Sequence, residues 1–280
     1  MTSLFSYNTL KVTLKKSTRT LVIELNRPLN QNALNTEMIF ELESLFSWCA
    51  SRVEIHSLLL SSTTDLFSCG FDRDEAKNLS EEKFIKNMSH LQKLIYAMFF
   101  LPQTIIFDLK DGVHGLGAEL ALAADIRMAR PGTKVSFAHL KRGFTPTCGA
   151  IGFLSTVIAK TFARAWVMSA NNISNEALQM AGYIHEYYTC PDQIENILIS
   201  IAKQAPVARI QAKRSFLETI LPELDRALVY EKEFAHGVLA TGDWKKALLG
   251  ETNFISAKQM AEVLSDSKVG ENKQREARAN

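Results

Sequence analysis

Cysteine is scarce. The 280 residues hold four, Cys49, Cys69, Cys148 and Cys190. No two stand in CxxC spacing, and no histidine cluster accompanies them. That excludes a disulfide framework and the common zinc patterns, and fits reduced thiols in a cytoplasmic protein with no metal. A run of about 18 apolar residues is also lacking, so no membrane span is expected. The longest apolar stretch, around residues 97–101, stops at Pro102. Residues 1–5 do not show a basic region followed by a long apolar run, so no secretory signal is expected. Neither charge sign dominates: 32 basic against 30 acidic side chains leave a net +2. Without a basic stripe, nucleic acid is not an expected partner. A small anionic ligand remains compatible. There is no internal repeat and no low-complexity segment.

What is present is an ordinary globular composition, 46% hydrophobic and 22% charged. The length suits one large α/β domain, or a domain with a helical appendage. Residues 20–26 (TLVIELN) read as a strand that ends at Arg27-Pro28. Asn35 reads as an N-cap, because Met38, Ile39, Leu42, Leu45, Phe46 and Cys49 follow at helical spacing. Residues 56–61, 104–109, 126–129 and 134–138 read as strands, and 81–101 as a helix stopped by Pro102. Residues 112–117 are glycine-rich and 118–124 are strong helix formers. After Gly149 strand signals nearly vanish. Helical patterns run through 163–169, 175–180, 192–205, 207–221 and 223–240. The alternation in the first part favours βαβ units with parallel pairing.

Gly112, Gly115 and Gly117 lie between a strand and a helix. Glycine there permits positive φ and close backbone approach to a ligand. The first N–H groups of a helix have no partner within it, which suits an oxyanion or a phosphate. On glycine count alone, a plain strand-to-helix turn is the simpler reading. The spacing fits neither GxGxxG nor a P-loop. Glu119 stands at the start of an otherwise apolar helix. It reads either as an ordinary first-turn acid or as a carboxylate able to move protons at a bound group.

In sequence order, these segments resemble the crotonase, or enoyl-CoA hydratase/isomerase, superfamily. Asn26-Arg27-Pro28 with Asn32-Ala33-Leu34 is similar to its NRP…NAL opening. Phe67-Ser68-Cys69-Gly70-Phe71-Asp72 is similar to its FSAGAD. Asp111-Gly112-Val113, Gly115-Leu116-Gly117-Ala118-Glu119-Leu120 and Ala124-Asp125-Ile126-Arg127 follow its glycine loop and CDIR continuation. Gly143-Phe144-Thr145-Pro146 and the Ala163-Arg164-Ala165, Ile173-Ser174, Glu176-Ala177 series follow later. The resemblance spans about residues 21–248 and is carried by the order and spacing of these motifs. It implies an α/β fold, a spiral of repeated ββα units over 1–200. A helical trimerisation region over 201–264 and a polar tail over 265–280 would complete the chain.

The resemblance also implies a CoA thioester as substrate, with no separate cofactor, and a homotrimer or a hexamer built as a dimer of trimers. Carried over by position, the backbone N–H groups of Phe71 and Leu116 would polarise the thioester carbonyl. Arg27, Ala33, Cys69, Gly70, Asp72 and Gly115 would line the CoA and acyl site. Both donor residues are bulkier than the family's usual Ala and Gly, which narrows the acyl pocket.

Three departures follow from the same comparison. The 112–119 loop is one residue short and contains His114. Glu119 keeps one of the two hydratase glutamates, but the second position is His139. The glycine run after the proline is reduced to Thr147-Cys148-Gly149-Ala150. Imidazole titrates near neutrality, so His139 retains acid/base capacity with a different charge and reach. It reads equally as a half-buried structural histidine. His114, Cys69 and Cys148 read as packing residues, and Arg27 and Asp72 as structural or site-proximal. Lys141-Arg142 and Lys213-Arg214 read as a CoA-phosphate contact or as solvated surface. Phe234 and Trp244 read as interface or acyl-pocket residues.

The leading expectation is an enoyl-CoA hydratase or isomerase of fatty acid metabolism with Glu119 and His139 as acid/base groups. A second is another crotonase-type reaction, such as acyl-CoA hydrolysis or decarboxylation. A third is a non-catalytic acyl-CoA-binding homologue.

Overall fold

Aliphatic and β-branched runs set the strands, and the computed structural model describes residues 5–251 and 254. In chain order the strands are β1 (Leu10–Lys15), β2 (Thr20–Leu25), β3 (Ser57–Ser62), β4 (Thr104–Asp108), β5 (Gly112–His114), β6 (Ile126–Ala129), β7 (Lys134–Ser136), β8 (Asn172–Ile173) and β9 (Glu186–Tyr187). One sheet has the order β1-β2-β3-β4-β6-β9, the other β5-β7-β8. The β1–β2 hairpin is antiparallel, and β2, β3, β4, β6 and β9 pair in parallel. Parallel strands are covered on both faces and so read as continuous apolar runs. Here α1 (Thr36–Cys49) and the main core lie on one face. Ile106, Met128, Tyr188, Ile194, Leu198 and Ile201 form a second cluster on the other.

The remaining helices are α2 (Arg73–Lys77), α3 (Glu81–Phe99), α4 (Leu116–Leu120), α5 (Ala150–Val157), α6 (Lys160–Ser169), α7 (Asn175–Met180), α8 (Pro191–Ala202), α9 (Pro206–Ala240) and α10 (Asp243–Leu248). Asn35 caps α1 as read from sequence: its Oδ1 accepts the Met38 N–H at 3.0 Å, and all six periodic residues are buried. Arg127 locks the β6 end. Its guanidinium donates to the carbonyls of Tyr183 (2.7 Å) and Ala124 (2.9 Å) and lies over the Tyr183 ring.

Several boundaries depart from the sequence reading. The two helices expected at 207–221 and 223–240 are one 35-residue helix, α9, with Pro222 inside it. Proline removes one intrahelical bond and crowds the preceding turn. Leu221, Leu224 and Leu228, packed on the core, with buried Leu217 before them, carry the helix through that loss. The helix expected at 118–124 begins earlier, at Leu116, and tightens to a 3-10 turn at Ala121–Ala123. The glycine loop itself contains β5, and α5, β8 and β9 lie where the sequence showed little. The polar tail read at 265–280 lies outside the described residues.

Candidate active site

Two loops meet at the C-terminal side of the strands. In the first, the Leu34 N–H donates to the Gly70 carbonyl (2.7 Å) and the Asp72 N–H donates to the Leu34 carbonyl (3.0 Å). That bridge uses the groups on either side of Phe71 and turns its N–H away from Leu34. In the second, the His114 N–H donates to the Ser68 carbonyl (3.0 Å) and the Gly115 N–H to the Ser136 carbonyl (2.9 Å). Gly115, at φ +52, then reverses the chain into α4. Among the described residues, no acceptor takes the N–H of Phe71 or of Leu116. The loops touch because residue 70 has no side chain. A Cβ there would lie 2.7 Å from the His114 carbonyl oxygen and 3.3 Å from the Leu116 nitrogen.

The first loop is braced from below. Arg27 Nη1 donates to Asp72 Oδ2 (2.7 Å) and to the Ala33 carbonyl (2.6 Å). The other Asp72 oxygen caps α2 by accepting the Asp74 and Glu75 N–H groups. Ser68 Oγ donates to the Asn32 carbonyl (2.7 Å) and accepts the Gly70 N–H. Arg27, Ala33 and Asp72 therefore hold the loop in place, and none of the three lines the cleft described below.

Behind the loops lies an acidic cluster. Glu119 is fully buried in α4. Its Oε2 accepts the N–H groups of Cys148 (2.9 Å) and Ala150 (3.2 Å). Its Oε1 stands 2.6 Å from His139 Nε2. Among the described residues, Glu119 Oε1 and both His139 ring nitrogens have no directed hydrogen-bond partner, as is also true of atoms of His56, Gln103, Thr133 and Arg209 elsewhere. A second buried acid, Glu231 of α9, accepts the N–H groups of Gly149 (2.6 Å), Ile151 (2.7 Å) and Gly152 (3.3 Å). The two acidic side chains together clasp the first turn of α5. Burial, with the Glu119 charge beside it, pushes the Glu231 carboxyl up to about 8.

His139, Phe71, Gly115 and Leu116 face a common cleft, closed by Phe84, Met88, Phe144 and Leu248, with Arg73 and Arg142 on its wall. Its empty volume is about 530 Å³, open solvent included. Glu119 does not reach it and sits behind His139. Phe84 and Phe144 stack on the far wall, and Trp244 stacks on Phe84 behind it. Two unspent N–H donors beside an imidazole, over an apolar floor, are suited to polarising a carbonyl and moving a proton next to it.

The chain matches the model of the enoyl-CoA hydratase/isomerase family over residues 15–258. It belongs to that family. A putative enoyl-CoA hydratase/isomerase of Bacillus subtilis is 25% identical over 83% of this chain and 91% of its own length. A short-chain-enoyl-CoA hydratase of Clostridium acetobutylicum is 25% identical over 89% of this chain and 96% of its own. The crystal structure of an enoyl-CoA hydratase from Mycobacterium avium subsp. paratuberculosis superposes with TM-score 0.80 at 20% identity, covering 90% of this chain and all of that one. The α/β crotonase architecture with helical C-terminal region holds accordingly.

The other candidates do not line the cleft. Lys213 donates to the Gln103 carbonyl (2.9 Å) and pairs with Asp125 (2.8 Å). Lys141 donates to Asn171. His114 Nδ1 bonds the Ser136 hydroxyl, and burial lowers its pKa. Cys148 is buried and its thiol is pushed well up by burial. Cys69, half-buried, shows only a weak contact of its thiol with the Asn30 carbonyl. Trp244 is fully buried and Phe234 is exposed. Glu231 and Arg73 were not singled out from the sequence. A signal for Glu231 existed: it continues the buried stripe Leu217, Leu224, Leu228, where the helical period calls for an apolar residue.

Proposed function

We propose that this family member acts on CoA thioesters, with the N–H groups of Phe71 and Leu116 polarising the thioester carbonyl and His139 as acid/base. The observation that carries the reading is the convergence of two unspent N–H donors and one partnerless imidazole on a single cleft. Glu119 then acts through His139: its Oε1, 2.6 Å from Nε2, holds the ring in place, as a buried carboxylate does for a catalytic histidine. The reaction we favour is hydration or isomerisation of a 2-enoyl-CoA. In hydration the imidazole takes a proton from water as its oxygen adds to the β-carbon. The thioester oxygen carries the developing enolate charge between the two N–H groups, and the imidazolium then returns the proton taken from water to the α-carbon. No cofactor beyond the substrate's own CoA enters this scheme.

One observation favours a second reading. Only His139 meets the cleft, where hydration in this family is read as the work of two glutamates. Hydrolysis or decarboxylation of an acyl-CoA needs the same carbonyl polarisation with fewer proton transfers. A non-catalytic acyl-CoA-binding role would need only the donors. Saturating assays with short and medium 2-enoyl-CoAs, and mass spectrometry of a wider acyl-CoA panel, separate these outcomes. Full activity of His139→Ala on every substrate that turns over would refute the acid/base assignment.

We also place the protein in the cytoplasm as a homotrimer or dimer of trimers. Exposed Phe216, Val229, Tyr230 and Phe234 on α9 and four free cysteines support this. Light scattering after gel filtration tests the oligomeric state.

A further inference from the structure

Arg142 ends the short turn that begins at His139. Gly143 behind it, at φ +66, is pressed against α10, where a Cβ would lie 2.8 Å from the Asp243 carbonyl carbon. That contact fixes where Arg142 leaves the backbone. Its side chain is half-buried and lines the cleft beside Phe71, Leu116 and His139. Among the described residues its guanidinium makes no hydrogen bond and no ion pair. Arg73, on the same wall, donates only to the backbone carbonyls of Ala247 (3.0 Å) and Leu248 (3.5 Å). Among the described residues, no acid lines the cleft to balance them. Asp72 is held by Arg27, and Asp74 by Lys77. Two neighbouring guanidinium groups repel, and a partly desolvated cation without a counter-ion costs free energy. The fork of donors on arginine matches a carboxylate.

We propose that the acyl group of the substrate carries a carboxylate of its own, and that Arg142, flanked by Arg73, receives it. This rests on the acyl-CoA reading above. The position favours the acyl group over the CoA phosphates. Arg142 lines the same cleft as both proposed donors, Phe71 and Leu116, and His139. The guanidinium therefore shares the cleft in which the thioester carbonyl would bind, a pantetheine arm away from the nucleotide.

The test uses pairs of CoA thioesters of equal chain length, one ending in a methyl group and one in a carboxylate. The matching pantetheine thioesters, which lack the nucleotide phosphates, form a second series. Dissociation constants by calorimetry and kcat/KM are measured for the parent, Arg142→Met and Arg142→Lys, each checked for folding by circular dichroism. The parent should prefer the carboxylated ester in both series. Arg142→Met should lower that preference roughly 10- to 100-fold, the range for a hydrogen bond to a charged group, and Arg142→Lys should lose less. An equal loss on both esters that vanishes in the pantetheine series assigns Arg142 to the CoA phosphates and overturns the proposal. An unchanged preference in Arg142→Met overturns it as well. If the parent binds both esters alike, only this inference falls. If it binds no thioester, the acyl-CoA reading falls with it.

Discussion

Gly70→Ala tests the meeting of the two donor loops directly. Gly70 sits at φ +97, and its added Cβ would stand 2.7 Å from the His114 carbonyl oxygen, against the 3.4 Å at which ordinary contact begins. Both near neighbours are backbone, so no side-chain rotation relieves the overlap. The loops must part by several tenths of an ångström. Positive φ costs a non-glycine residue about 1–2 kcal/mol, and overpacking of this kind about 1–3 kcal/mol. The expected destabilisation is therefore about 2–5 kcal/mol, or roughly 5–15 °C in Tm for a chain of this size. Gly132→Ala is the matched control. Gly132 has φ +89 but nothing within 4 Å of an added Cβ, so it carries the conformational cost alone. The difference between the two variants in a thermal melt isolates the loop contact. On the acyl-CoA that the parent turns over best, Gly70→Ala should also lose about 100- to 1000-fold in kcat, the usual consequence of displacing one oxyanion donor. A Gly70→Ala protein that melts like Gly132→Ala and keeps its kcat would show that the Phe71 and Leu116 N–H groups do not act together.

Three further outcomes follow from buried groups. Glu231 holds its proton up to about pH 8, whereas the unfolded chain releases it in the ordinary carboxylate range. Its contribution to stability should thus fall as pH rises between those limits, by at most about 1.4 kcal/mol per pH unit. Glu231→Gln removes that slope, so its Tm deficit against the parent should shrink from pH 5 to pH 9, and a constant deficit would refute the raised pKa. In the native protein a thiol reagent should label exposed Cys190 fast and half-buried Cys69 slowly. Cys49, pushed up to about 12 by burial, and Cys148 should react only after denaturation, as counted by absorbance. Arg127→Lys cannot reproduce the fork that binds the Tyr183 and Ala124 carbonyls, and should cost about 2–4 kcal/mol in urea unfolding.

The fold was legible where one local rule governs a segment. The α1 cap at Asn35 and the six-residue apolar stripe after it depend only on neighbours in sequence, and both stand as read. Pro222 shows the opposite case. The local rule against proline inside a helix is sound, yet it prices one lost bond without the packing that Leu217, Leu224 and Leu228 gain on both sides of it. β8 and β9 are two residues each, too short to carry a periodicity, and exist because β7 and β6 offer edges to pair with.

The same division runs through the site. The segments around Phe71 and Leu116 were legible because motif order places them, but their contact depends on Gly70 and Gly115 lying against each other across a bridge between Ser68 and Val113. The α9 stripe marked Glu231 as buried, but its role was not legible, because the N–H groups that justify a buried acid there lie some 80 residues away, at the start of α5. That pairing changes the meaning of Glu119. A carboxylate alone at the head of α4 would be free to face a ligand. With Cys148 and Ala150 bonded to one oxygen, His139 against the other and Glu231 beyond, Glu119 is committed on both sides. The residue at position 139 is then the one that meets the cleft. A histidine there presents an imidazole to the cleft, while the acid behind it is held by the backbone at the start of α5.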